Sequence, residues 1–156
     1  MVCNCSIVNT DGALIALPLG HTKIAADIDL ENQMEINKEW AKKFANEWVE
    51  SWNTHDIERI LSHYSDDIEM TSPLIMERLK QPNGYLKGKD KVRAYWEIGV
   101  NCTPPLKFEL IDILLGVDSL TIYYLSVGRR VVAETLQFNG EGKVSKGIAH
   151  WSVKSN

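Results

Sequence analysis

Apolar residues in the first part of the chain recur at the spacing of an α-helix. Between positions 41 and 52 they form one stripe, while lysines, glutamates and an asparagine occupy the opposite face. Asn37 stands just ahead of this stripe, where a side chain can cap a helix. The pattern predicts an amphipathic helix whose buried face consists of Ala41, Phe44, Ala45, Trp48, Val49 and Trp52.

Two further helices and a short strand follow. A short helix is predicted after Thr54, its cap, with Ile57, Ile60, Leu61 and Tyr64 on its apolar side. Residues 68–72 are typical of a strand that Pro73 ends, and residues 74–87 are predicted to form a long loop. A third helix is predicted over residues 89–100, with an apolar side made of Val92, Tyr95, Trp96 and Val100.

The rest of the chain has the short apolar runs and turn residues of a β-meander. Four strands are predicted, separated by glycine-containing turns at 116–118, 128–129 and 139–142, the last being a strong hairpin signal. The strands cover residues 106–115, 120–127, 131–138 and 143–153. Three helices followed by a meander predict an α+β domain with helices packed on one face of a mostly antiparallel sheet.

Residues 1–35 lack sustained helical or strand periodicity, so the chain divides into an N-terminal arm, 1–35, and a domain, 36–156. Residues 8–19 fit either a short hairpin or an extended arm. Their apolar content predicts packing on the domain or on a neighbouring subunit.

Composition excludes several classes of function. The 156 residues carry a net charge of −4 without a Lys/Arg cluster, which argues against nucleic acid as a partner. No apolar run reaches the roughly 18 residues of a membrane span, and no basic residue precedes the short run at 13–19 as in a signal peptide. A cytoplasmic protein is expected. Cys3, Cys5 and Cys102 fit no metal-binding spacing, and the histidines show no His–His or His–Glu spacing, so no metal is expected. No cofactor is expected either.

Several local motifs resemble the nuclear-transport-factor-2-like (NTF2-like) superfamily, in particular its SnoaL-like and ketosteroid-isomerase-like branches. They are WNTHDI at 52–57, YSDDI at 64–68, TSP at 71–73, LKGKDKV at 86–92, AYW at 94–96, FNGEG at 138–142 and AHW at 149–151. The resemblance covers about residues 38–153. It implies a cone-shaped fold in which three N-terminal helices and a strongly curved sheet enclose a ligand-sized, largely apolar cavity.

The resemblance also argues against steroid isomerase chemistry. Ser72 stands where the isomerase branch has its aspartate base, and Trp48 stands where that branch has a tyrosine donor. A serine hydroxyl without an activating partner is too weak a base for a carbon acid, and an indole N–H cannot exchange a proton in this role. The protein is therefore not expected to be a ketosteroid isomerase.

Glu134 matches the second oxyanion donor of the isomerase branch, an aspartate, and is the candidate catalytic residue. Tyr64 matches a supporting tyrosine, whereas Trp96 replaces another. Inside an apolar cavity the Glu134 carboxyl would lose hydration, which raises its pKa and suits it to acid/base work. The alternative is that Glu134 faces outward or pairs with Arg129 or Arg130.

The resemblance implies a set of residues along the cavity, although each of the aromatic ones could equally be ordinary core. Of the two adjacent tyrosines on one strand, the match favours Tyr123 over Tyr124 for the inner face. The predicted lining residues are Trp48, Trp52, Tyr64, Met70, Ser72, Trp96, Tyr123, Leu136 and Trp151.

Two functions remain open. The first is binding of a hydrophobic small molecule in an apolar, aromatic-lined pocket without catalysis. The second is a SnoaL-like enzyme of the isomerase, cyclase or hydrolase type, with Glu134 as acid/base on a hydrophobic carbonyl-bearing substrate and Ser72 or Tyr64 as its hydrogen-bond partner.

Strand alternation also predicts an interface. If Glu134 and its neighbours at every second position face inward, the outer face carries apolar and small residues that a monomer would expose. On the two final strands the predicted outward residues are Val131, Ala133, Thr135, Gln137, Val144, Lys146, Ile148 and His150. A two-fold homodimer through this face is expected, the alternative being that the arm folds back over it.

Overall fold

A computed structural model of the protein describes residues 36–153. The predicted arm at 1–35 and the last three residues lie outside the described residues. The helices are α1 (Lys38–Asn53), α2 (Ile57–Leu61), α3 (Pro73–Leu79) and α4 (Lys89–Val100). The strands are β1 (Tyr64–Thr71), β2 (Tyr85–Lys87), β3 (Glu109–Leu115), β4 (Ser119–Leu125), β5 (Val131–Phe138) and β6 (Val144–Trp151), with a 3₁₀ turn at Val127–Arg129.

The strands form one curved sheet in the order β2-β1-β6-β5-β4-β3. Among the described strands only the pairing of β1 with β6 is parallel. The elements between these two strands in the chain, α3, β2, α4 and β3 to β5, supply the long connection that a parallel pair needs. Helix α1 packs against α2 and β3, while α4 packs against α2 and β1. The α+β class and the mostly antiparallel sheet are as predicted. None of the described helices is both long enough and apolar enough to span a membrane.

Helix α1 begins as predicted, because the Asn37 side chain accepts a hydrogen bond from the Trp40 backbone N–H at 2.9 Å. The predicted cap of α2 is wrong. The Thr54 hydroxyl instead donates to the Ser51 carbonyl at the end of α1. Asp56 caps α2 by accepting from the Arg59 N–H at 3.0 Å.

The long loop predicted over residues 74–87 is also wrong, because it contains α3 and β2. Ser72 caps α3, its hydroxyl accepting from the Leu74 N–H at 3.2 Å. Pro73 takes the first helical position, where the missing N–H is not needed. The same Ser-Pro pair therefore ends β1 and starts a helix.

A β-bulge changes which residues of β6 face outward. Gln137 pairs with Lys146, but the next residue, Phe138, pairs with Val144, so Ser145 is the extra residue. Val144 consequently faces inward and is fully buried. Its predicted outward position is wrong, since simple alternation holds only on the C-terminal side of the bulge.

An aromatic cluster lies between α1, α4 and the inner face of the sheet. Neighbouring ring centroids in it lie 4.5 to 5.9 Å apart, the range of favourable aromatic contacts. Its members are Trp48, Trp52, Tyr64, Trp96, Phe108 and Tyr124. Four of its members, Trp52, Trp96, Phe108 and Tyr124, form one wall of the cavity described next, while Trp48 and Tyr64 lie behind them in the core.

Candidate functional site

A cavity of about 390 Å³ opens from the inner face of the sheet towards solvent. This volume is in the range of small-molecule sites in proteins. Its inner end is buried and is lined mainly by apolar and aromatic side chains: Trp52, Met70, Ser72, Tyr95, Trp96, Gly99, Phe108, Tyr124, Val132, Glu134 and Ala149. Its exposed rim comprises Glu77, Arg78, Thr103, Pro104 and Arg130.

Small residues on β6 leave room for this space. Gly147 lies opposite Leu136, and Ala149 lies opposite Glu134. A Cβ atom on Gly147 would stand 2.6 Å from the sulfur of Met70, so glycine lets that side chain lie against the sheet. Larger residues at these two positions would fill the cavity or displace Met70.

Glu134 lies at the buried end of the cavity on β5, with 5% of its surface exposed. The Tyr124 hydroxyl donates a hydrogen bond to its Oε2 at 3.0 Å. Burial raises the pKa of the carboxyl to about 7, although the hydrogen bond from Tyr124 opposes the rise. Glu134 therefore faces the cavity, in the inward orientation that was predicted. Because its pKa is about 7, the carboxyl is partly protonated and partly ionised near neutral pH.

Three buried phenols interact with the charge of this carboxyl and stay protonated at neutral pH. Burial raises the pKa of Tyr95 to about 12, and burial also raises the pKa values of Tyr64 and Tyr124 well above the ordinary tyrosine value. The negative charge of Glu134 raises all three further. These phenols are therefore hydrogen-bond donors and not bases.

Trp52 contributes an unusual feature to the cavity wall. Its indole N–H is buried and has no hydrogen-bond partner among residues 36–153. Buried donors are nearly always paired, because an unpaired one costs roughly 1–3 kcal/mol. The inner end of the site thus combines a protonatable carboxyl, phenol donors and an unsatisfied N–H within an aromatic lining.

The structure separates the predicted lining residues into two groups. Five of them line the cavity together with Glu134: Trp52, Met70, Ser72, Trp96 and Trp151. Trp48, Tyr64 and Leu136 are fully buried and do not line it, so their predicted places are wrong. The Trp48 indole N–H donates to the Tyr64 hydroxyl at 2.8 Å, and this closed pair belongs to the core behind the wall.

The predicted place of Tyr123 is wrong as well. Tyr123 is 36% exposed, whereas Tyr124 is buried and lines the cavity. Leu120 and Ile122 on the same strand also face inward, and residues at every second position share a face. The apolar alternation of β4 therefore indicated Tyr124, and the residue-by-residue family match misassigned it.

Sequence reasoning missed several cavity residues. Tyr95 lies on the predicted apolar side of α4 but is not among the predicted lining residues, and Phe108 precedes β3 without a strong local pattern. Arg78 and Arg130 on the rim were also missed, since only the folded chain brings the end of α3 near the β4–β5 connection.

Ser72 does not have the surroundings of a catalytic base. Its hydroxyl accepts the α3 capping hydrogen bond and lies beside the Tyr95 phenol, where it lowers the raised pKa of Tyr95. Within residues 36–153, no three His, Cys, Asp or Glu side chains are grouped so that they could hold a metal ion.

Comparison with known proteins agrees with this architecture. The SnoaL-like domain family matches residues 45–156. A SnoaL-like protein of unknown function from Burkholderia thailandensis is 40% identical, with a TM-score of 0.74 over 76% of this chain and 99% of that chain. Among curated proteins, no relative matches this chain.

Two more distant structures share the fold. A ketosteroid isomerase, described as putative, from Kribbella flavida is 15% identical, with a TM-score of 0.60 over 76% of this chain and 82% of that chain. The epoxide hydrolase/cyclase-like enzyme SalBIII, which has a role in pyran ring formation in the polyether salinomycin, is 16% identical. Its TM-score is 0.58 over 75% of this chain and 94% of that chain. With the family match spanning most of its length, this chain belongs to the SnoaL-like domain family.

Proposed function

We propose that the protein binds a hydrophobic small molecule bearing a carbonyl or hydroxyl oxygen in the cavity. The observation that carries this proposal is Glu134, a carboxyl with a pKa of about 7 at the buried end of an apolar, aromatic-lined space. An apolar ligand body would cover the aromatic wall. Its oxygen would take the hydrogen bond that a protonated Glu134, a phenol or the Trp52 N–H can offer.

A second proposal is that the bound molecule is also a substrate. A carboxyl whose pKa lies near the working pH can both donate and accept a proton, as general acid/base catalysis requires. Tyr124 holds one of its oxygens and so limits its orientation. These features support an isomerase-, cyclase- or hydrolase-type reaction in which Glu134 moves a proton on a carbonyl-bearing substrate. The cyclase-like enzyme SalBIII has the same fold, so the fold is compatible with such chemistry. The likeness does not assign that reaction to this protein.

Binding can be tested with two ligands that share a skeleton, 2-decalone and decalin. Each is titrated against the fluorescent reporter N-phenyl-1-naphthylamine, which a hydrophobic ligand in the cavity should displace. Protonated Glu134 can donate to the ketone, but ionised Glu134 cannot. We expect the preference for 2-decalone over decalin to fall about tenfold between pH 5.5 and pH 8.5, the equivalent of one hydrogen bond.

Glu134→Gln should remove this pH dependence, because the amide does not titrate. Glu77→Gln changes a glutamate on the exposed rim of the same cavity and should leave the dependence intact. If both ligands responded equally to pH and to Glu134→Gln, the carboxyl would not contact the ligand. If neither displaced the reporter, the binding proposal itself would fail.

We also propose that the protein forms a two-fold homodimer through the outer face of the sheet. Tyr123 and Leu114 are exposed there, Ile148 is half-buried, and the Thr121 and Thr135 hydroxyls lie 2.9 Å apart. Such a continuous, weakly polar face supports a self-complementary contact. Asp112 and Lys146 are exposed in the rows on either side. The row between them, Leu114, Thr121, Thr135 and Ile148, is uncharged, which favours a second copy over a charged partner.

Ile148→Lys should convert this dimer to a monomer in light scattering at micromolar concentration, because it buries a charge at the interface. Ile98→Lys provides the matched control, since Ile98 is 47% exposed on α4 and not on the sheet. A monomeric parent protein, or an Ile148→Lys variant that dimerises normally, would refute the interface.

A further inference from the structure

The rim of the cavity has a charge opposite to that of its inner end. Arg78 and Arg130 line the opening together with a single acid, Glu77. The carboxyl of Glu134 lies at the buried end. In a chain whose net charge is −4, this leaves a net positive rim above a cavity whose deepest ionisable group is an acid.

Arg130 is held in place by an aromatic ring of the cavity wall. Its guanidinium carbon lies 4.1 Å from the ring centroid of Trp151, the distance of a cation–π contact. The residue follows the 3₁₀ turn and directly precedes β5. Stacking leaves the in-plane N–H donors of a guanidinium available, and these match the geometry of a carboxylate.

Arg78 reaches the rim from a different element, near the end of α3. Its Nη1 lies 3.9 Å from the position that a Cβ would take on Gly99, so the guanidinium lies against α4. Burial raises the pKa of Tyr95, and the positive charge of Arg78 opposes part of that rise, in keeping with its position at the cavity rim. Among residues 36–153, neither Arg78 nor Arg130 has a carboxylate oxygen within 4.0 Å.

We propose that the ligand is amphiphilic and ends in an oxyanion, such as a carboxylate, that Arg78 and Arg130 bind at the rim while its apolar body fills the cavity. This inference rests on the proposed small-molecule binding and specifies its ligand class. The two arginines fix the direction of entry. The uncharged, oxygen-bearing part of the molecule then lies at Glu134 and the anionic end faces solvent.

The test uses two probes with the same ring skeleton, 8-anilinonaphthalene-1-sulfonate and the neutral N-phenyl-1-naphthylamine. We expect Arg78→Gln and Arg130→Gln each to weaken sulfonate binding about two- to fivefold, as for partly exposed ion pairs, and the double variant about tenfold. Binding of the neutral probe should change less than twofold. Raising the salt concentration should weaken only the sulfonate, which tests the inference in the unaltered protein.

Two control variants separate the rim from general charge effects. Lys42→Gln removes a positive charge from the exposed face of α1 and should leave both affinities unchanged. Glu77→Gln removes the rim acid and should strengthen sulfonate binding. Displacement of both probes by 2-decalone establishes that they occupy the same cavity.

The outcomes distinguish this inference from the function on which it rests. If the neutral probe binds but the arginine variants affect the two probes equally, or not at all, the anion site is refuted while the cavity remains a ligand site. If neither probe binds in competition with 2-decalone, the proposed function fails, and the anion site with it.

Discussion

Replacing Glu134 by Gln is expected to stabilise the protein at alkaline pH and to have little effect at acidic pH. The folded-state pKa of this acid is about 7, above the ordinary value of 4.5 that applies when the chain is unfolded. Folding therefore disfavours the ionised form. The contribution of Glu134 to the free energy of unfolding of the wild-type protein is fully present below pH 4.5. It is lost as the pH rises to about 7 and changes little above that pH.

The size of this loss follows from the pKa difference. It amounts to about 3 kcal/mol, since each pH unit corresponds to roughly 1.4 kcal/mol. Glutamine keeps an oxygen that can accept from Tyr124 and does not ionise. The free energy of unfolding should be measured in urea for the variant and the wild type at pH 5 and at pH 8.5. The difference between the two proteins should grow by about 2–3 kcal/mol from the lower to the higher pH. In thermal unfolding this corresponds to roughly 5–10 °C in melting temperature.

Other carboxylates do not obscure this comparison. Glu47, Glu58, Asp67 and Glu69 have lowered pKa values because of hydrogen bonds to neighbouring side chains, and their contributions are lost as the pH falls. They are common to both proteins and cancel in the difference. Glu77→Gln serves as a surface control, because it removes an exposed glutamate from the rim of the same cavity. A constant gap for Glu134→Gln would mean that the carboxyl is solvated.

Tyr64→Phe should destabilise the protein by about 1–3 kcal/mol, because it removes one oxygen and leaves the buried Trp48 N–H without an acceptor. The measurement is the free energy of unfolding in urea. Tyr123→Phe removes the same atom from an exposed tyrosine and should cost less than about 0.5 kcal/mol.

A double-mutant cycle isolates this hydrogen bond from the packing of the two rings. Trp48→Phe alone loses both the donor and part of the ring volume. Once it is present, adding Tyr64→Phe no longer creates an unpaired donor. The double variant should therefore be more stable than the sum of the single effects by about 1–2 kcal/mol. Strict additivity would show that the pair contributes no hydrogen-bond energy.

The elements with strong periodicity could be predicted from the sequence. The stripe of α1 and its Asn37 cap, the bounds of α4 and those of β5 agree with the structure. The missed α3 is only seven residues long and has a single fully buried residue, Ile75, so its apolar positions cover too short a stretch to establish a helical period. Its start depends on the local geometry of the Ser72-Pro73 pair.

The site was only partly predictable, because strand alternation assigns a face but not a depth. Alternation places Leu136 on the inner face as well as Glu134, yet one is core and the other borders the cavity. What separates them is their partner on β6, Gly147 or Ala149, together with the position of Met70. Tertiary packing of this kind has no local sequence signal.

The rim arginines illustrate the same limit over a longer range. Arg78 and Arg130 are 52 positions apart, as their numbers show, and each resembles an ordinary surface residue in its own segment. Their common role emerges only where α3 and the β4–β5 connection meet at the cavity. By contrast, the family resemblance indicated the inward position of Glu134, since strand register relative to Phe138 locates the inner face of β5.

Proton exchange of the buried Glu134 carboxyl near neutral pH can be measured directly. The experiment is a pH titration of the ¹³C-labelled glutamate side-chain carboxyl groups by NMR, with the Glu134 signal identified by its absence in Glu134→Gln. We expect this signal to titrate with a pKa of about 7. A signal that titrates near the ordinary value of 4.5 would contradict it.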